Sequence, residues 1–111
     1  MNTYRINRIK RILKTTRNFE GMNLGGLDLS GLNFARANLR GVNLAGANLG
    51  GVSLAGADLT GADLTCTNLA YADLDGTTLD DTRMDNTNLR GVYFGDYAFD
   101  LDDIHELALI A

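Results

Sequence analysis

The chain of 111 residues contains no proline and no tryptophan, one cysteine and one histidine. Each scarcity removes a class of protein. Without proline, collagen-like repeats are excluded. Cys66 alone closes no internal disulfide, so nothing staples the fold and nothing marks an oxidising compartment; a cytoplasmic location is the expectation. The longest apolar stretches fall far short of the roughly 20 residues that cross a bilayer, and no cleavable signal follows the basic start.

Catalysis needs a nucleophile, a base and an orienting group in one pocket, and the inventory for it is poor. His105 falls on a predicted terminal helix, whereas Cys66 falls at an outward corner far from it. Asp100, Asp102, Asp103 and Glu106 lack the glycine and ligand spacing of a calcium loop. No glycine-rich loop ending in Lys-Ser or Lys-Thr is present to cradle a phosphate. A protein without catalytic residues, metal or cofactor is expected.

Acid is missing from one end of the chain and base is scarce toward the other. Arg5, Arg8, Lys10, Arg11, Lys14 and Arg17 crowd the opening with no carboxylate among them, while residues 41–111 hold only Arg83 and Arg90 against twelve acids. The net charge of −4 hides this segregation.

What is abundant is a period of five. Every fifth residue from Phe19 through Leu24, Leu29, Phe34 and onward to Phe99 is apolar, seventeen positions in unbroken phase. Two places earlier stands a smaller inner set, such as Val42, Ala47, Val52, Ala57 and Ala62, and between the two sets runs a polar column of mostly Asn and Asp. Neither a helical period of 3.6 nor a strand period of 2 keeps residues five apart on one face for so long. A three-residue strand followed by a two-residue corner does, and four such corners close a coil of twenty residues.

All 13 glycines fall at the two corner positions, and most share the second, as a positive φ there requires. Arg36, Cys66, Tyr71, Asp81 and Asp96 interrupt that glycine column, so a different turn type is expected at them. The four phenylalanines Phe19, Phe34, Phe94 and Phe99 sit in the first and last coils, where large side chains seal the ends. At a strand spacing of about 4.8 Å, roughly four coils make a plug some 20 Å tall.

The motif, A-(D/N)-L-x-x, resembles that of the pentapeptide-repeat family over residues 19–99. The resemblance implies an all-β solenoid, a right-handed quadrilateral β-helix of about four coils, with short α-helical caps at the N- and C-termini. The chain then divides into a basic amphipathic cap helix over 1–17, the β-helix over 18–100 and a C-terminal cap helix over 101–111. The apolar Ile6, Ile9 and Leu13 predict the first helix over 4–16. Asp100 is placed to cap the second.

Family resemblance implies a non-catalytic interaction or scaffold module acting on a protein partner. Candidate contacts are the helix cations Arg5, Arg8, Arg11 and Lys14, and the large outer residues Arg36, Tyr71 and Tyr93. Asp75, Asp80, Asp81, Asp85 and Asp100 form a candidate acidic face. Some members imitate DNA to modulate gyrase, but a short stack with a basic helix fits that poorly, and binding to nucleic acid is not expected. A membrane-surface adaptor acting through residues 4–16 is a third reading. Since members often pair through the C-terminal end, Leu107, Leu109 and Ile110 are candidate homodimer contacts.

Overall fold

From Asn18 to Tyr93, every fifth residue pairs in parallel with the residue twenty positions away. This register, seen in a computed structural model that describes residues 2–95, makes a solenoid with four bridged faces per coil. Residues 18–95 span just under four coils. The paired element is shorter than the expected three-residue strand, because each face carries a single bridge, on the polar residue.

Backbone groups nonetheless pair regularly between successive coils. On one face the Leu24 N–H donates to the Asn43 carbonyl at 2.7 Å, and the Asn43 N–H donates back to Met22 at 2.9 Å. At the following corner the Gly26 N–H donates to Ala45 at 2.9 Å. These bonds recur along most of the stack, so a bridge of one residue suffices to hold register.

The corners are uniform, which corrects the expected change of turn type. Arg36, Cys66, Tyr71 and Asp81 have φ of 61°, 58°, 62° and 57°, the left-handed region that the corner glycines occupy. The N–H after each of these corners still reaches back three residues, as in Ala72 to Leu69 at 2.9 Å. Ladder bonds on both sides therefore hold one turn geometry even where an L side chain resists it. Asp96 lies outside the described residues.

Inside, the central residues of the middle coils are sealed: Leu44, Leu49, Leu54, Leu59, Leu64 and Leu69 are buried. The space among Phe34, Leu39, Leu44, Leu49 and Leu54 has no room for a water molecule. In the first coil Phe19 and Phe34 meet edge to face at 5.4 Å, filling the end as their size predicts. Threonines enter the inner column without leaving a hydroxyl unpaired. Thr67 and Thr87 donate to the carbonyls of Leu44 and Leu64 at 2.7 and 2.6 Å.

The first helix, α1 (Asn2–Leu13), begins two residues earlier and ends three earlier than its apolar spacing predicts. Ile9 is fully buried in the solenoid's core, with Ile6, Ile12 and Leu13 packed around it. Lys10 and Arg11 occupy the last turn, where cations favour the helix dipole. The chain then turns through Arg17, at φ 55°, into the first coil. The predicted C-terminal helix, with Phe99, Asp100, Leu107, Leu109 and Ile110, lies outside the described residues.

Candidate functional site

With the interior of the described coils filled, the candidate residues that are described all lie on the outside. Much of that outside is committed to the fold. Asn and Asp of the polar column accept the N–H of the first corner residue, as Asn68 Oδ1 does from Ala70 at 3.0 Å. On one face the side-chain amides also form a ladder: Asn88 donates to Asn68, Asn68 to Asn48, and Asn48 to the Asp28 carboxylate. Donation from the hydroxyl and then the N–H of Ser30 holds the Asp28 carboxyl below its ordinary range, with a smaller contribution from Asn48.

The acidic candidates separate around the stack. Asp75, Asp80 with Asp81, and Asp85 stand at three successive corners, so they form a band around the later coils and share no single face. Asp85 lies 3.8 Å from Arg83, and Arg40 joins Glu20 at 3.6 Å to Asp58 at 3.0 Å.

The large corner residues lie across the glycine one coil further on. Tyr71 has its ring where a Cβ on Gly91 would stand, with the Arg90 guanidinium 6.0 Å from the ring centroid. Arg36 runs its side chain over Gly56. Tyr71 and Tyr93 remain about half exposed or more, at 62% and 48%, and they stand close together, since the Tyr93 N–H donates to the carbonyl of Ala72, the residue after Tyr71, at 3.0 Å. Arg36 and Asp75 edge an open groove of about 560 Å³ with Arg17, Asn33 and Ala55.

On α1 and in the turn that follows it the cations divide by role. Arg5 donates through Nη2 to the Asn23 carbonyl on the rim of the first coil. Arg17 is the most committed: Nε and Nη2 donate to Ala35 at 3.0 and 2.7 Å, Nη2 to Asn33 at 2.8 Å, and Nη1 to Leu13 at 2.7 Å. In later coils carbonyls at those rim positions receive N–H groups from the preceding coil. The guanidiniums supply what that missing coil would have donated. Arg8, Lys10, Arg11 and Lys14 are exposed, and among the described residues no carboxylate lies within ion-pair distance of them. Beside Arg8, a hollow of about 260 Å³ opens between α1 and the first coil, lined by Tyr4, Arg5, Ile9, Met22, Asn23 and Leu24.

Residues 18–51, 43–81 and 57–96 match the family model described as pentapeptide repeats. The chain belongs to the pentapeptide-repeat family. Among solved structures this pentapeptide-repeat protein is similar to alr5209, a pentapeptide repeat protein from Nostoc Pcc 7120. The two are 30% identical over 86% of this chain and 87% of that one, with a TM-score of 0.74. It is also similar to a pentapeptide repeat protein of the Arabidopsis thaliana thylakoid lumen, at 31% identity over 84% and 79% of the two chains and a TM-score of 0.54. No curated protein matches the sequence.

Among the described residues of this pentapeptide-repeat protein, no group of three His, Cys, Asp or Glu is placed to hold a metal ion. No helix described is long and apolar enough to cross a membrane. Cys66 is exposed at its corner, as its position in the repeat predicts. The rim role of Arg17 was hidden in the sequence, where it counts as the sixth member of a basic run. Its one signal is phase: residue 17 already stands in the inner column of the repeat, two places before Phe19.

Proposed function

We propose that the protein is a non-catalytic interaction module, a right-handed four-sided solenoid closed at both ends, whose outer surface binds a protein partner. The observation that supports this most is the filled interior: among the described residues the leucine columns around Phe34 to Leu54 leave no room for a water molecule, which points to the surface as the carrier of specificity. A cytoplasmic site of action belongs to the same reading.

Two other readings gain less. A DNA mimic needs carboxylates spaced along one face, and here they ring the stack at three corners, with Arg40 and Arg83 among them. A membrane adaptor that inserts an amphipathic helix needs that helix's apolar side, which is spent on the core through Ile9.

Removing α1 would uncover the core, so surface variants of the full chain make the better test. The immobilised protein is compared with R8E/R11E, with R36E/Y71S/Y93S and with D80K/D81K for capture of lysate proteins at two salt concentrations, identified by mass spectrometry. A protein lost from one variant and kept by the others, and shown to bind when purified, supports an interaction module and finds its surface. Captures indifferent to all three variants, together with inhibition of gyrase supercoiling by the wild type, would replace the module with the mimic.

A further inference from the structure

We propose that the hollow between α1 and the first coil is a docking site for an acidic protein segment that anchors one apolar side chain. This rests on the interaction-module reading and names its site and the chemistry of its partner.

The hollow is backed by the core and lined by apolar groups. Ile9 and Leu24 behind it are themselves covered, at 1% exposure each, so the apolar surface it offers is that of the partly buried Met22 and the exposed Tyr4 ring. At about 260 Å³, the hollow lies just under the roughly 300 Å³ at which pockets for drug-sized ligands begin. It suits one bulky side chain better than a cofactor.

The rim supplies the charge. Arg5 is held by the Asn23 carbonyl and serves as a fixed wall. Arg8 carries no such bond, and Arg11 follows it three residues along the helix, both exposed and without a carboxylate partner among the described residues. The phenol of Tyr4 stands 68% exposed at the edge, an amphipathic surface of the kind enriched at interfaces. Residues 2–19 contain no carboxylate side chain.

These features choose among anions. Nucleic acid would engage the cations but has no use for an apolar hollow, and a bilayer would need an apolar helix side that is already buried. A peptide segment with carboxylates flanking a leucine, isoleucine or phenylalanine satisfies both parts at once: the side chain fills the hollow and the carboxylates meet Arg8 and Arg11.

The test begins with a random peptide library displayed on phage, selected on the full chain and counter-selected on R8E/R11E. Selected peptides are synthesised with a fluorescent label and titrated by anisotropy. Expected are acidic sequences with one recurring apolar position. Their affinity should fall about tenfold or more on R8E/R11E, the scale of losing and reversing two exposed charge contacts. It should fall also when the apolar residue is changed to serine or when Tyr4→Ser is made, while Arg90→Glu, on a distant corner, leaves it unchanged. Amide NMR shifts should gather at Met22, Asn23 and Leu24. Circular dichroism and melting temperature check that each variant is folded.

Peptides that map to another face would overturn this site and leave the interaction module standing. A library that yields no binder would overturn the peptide site, whereas the module falls only if lysate captures are indifferent to all three surface variants. Binding sensitive to R8E/R11E for phosphatidylglycerol vesicles or duplex DNA, with no acidic peptide enriched, would overturn the peptide site in favour of a general polyanion surface.

Discussion

A corner residue in this solenoid meets two demands, a left-handed backbone and clearance from the coil beside it. Gly51 and Gly91 separate them, because both have φ near 70°, at 68° and 67°, yet a Cβ on Gly51 meets nothing whereas one on Gly91 would stand 2.4 Å from the Tyr71 ring. Gly51→Ala should cost about 1–2 kcal/mol from the left-handed backbone alone. Gly91→Ala should cost more by urea denaturation, and Tyr71→Gly should bring the two into line. A polar-column carboxylate tests charge at the same scale. The Thr60 hydroxyl, then its N–H, then Arg40 hold the Asp58 carboxyl below its ordinary range. Since the folded value is lowered, the stabilisation is present above the ordinary aspartate value of about 3.9 and is lost as pH falls through the lower folded value. The melting temperature of the wild type should therefore drop more steeply below about pH 4 than that of Asp58→Asn; parallel curves would show that these bonds do not matter to stability.

At the scale of the element, the joint between α1 and the first coil turns on one guanidinium. Arg17 serves the carbonyl of Leu13 at the helix end and those of Asn33 and Ala35 on the rim. Arg17→Lys keeps the charge but loses the fork that reaches all three. It should cost about 1.5–3 kcal/mol, with faster hydrogen exchange in α1 than in the middle coils; equal exchange throughout would mean that packing at Ile9 alone holds the helix. This joint also marks how far the sequence could be read. The five-residue phase revealed the faces, the corners and the apolar columns because each depends on what a residue type can bury or which φ it tolerates. It identified α1 because Ile6, Ile9 and Leu13 recur at helical spacing. It missed the roles that depend on what stands one coil away: Tyr71 across Gly91, the amide ladder from Asn88 to Asp28, and Arg17 in place of a missing coil. The hollow beside Arg8 was equally hidden, since its walls come from α1 and from Met22 to Leu24, which the sequence places apart.

For the molecule as a whole, stability follows from each coil touching only its neighbours. A middle coil buries its side chains between two others; Leu64 and Leu69 are completely covered. Leu79, Leu89, Val92 and Phe94, in the last described coil, are only partly buried against the same core. Loss of a side chain should thus cost most in the centre, where the neighbours on both sides lose packing and the cavity cannot collapse. Leu64→Ala is expected to lose about 3–5 kcal/mol, at the upper part of the range for leucine truncation in packed cores. Leu89→Ala should lose less than half of that, and native-state hydrogen exchange should show the coils of residues 38–77 opening last. Equal losses at the two leucines, with uniform exchange, would mean that the stack unfolds as one cooperative block. In that case a ligand on α1 would stabilise every coil alike. If the gradient holds, a ligand bound beside Arg8 should protect the first coil more than the last, and the depth to which its protection spreads would measure how strongly one coil is coupled to the next.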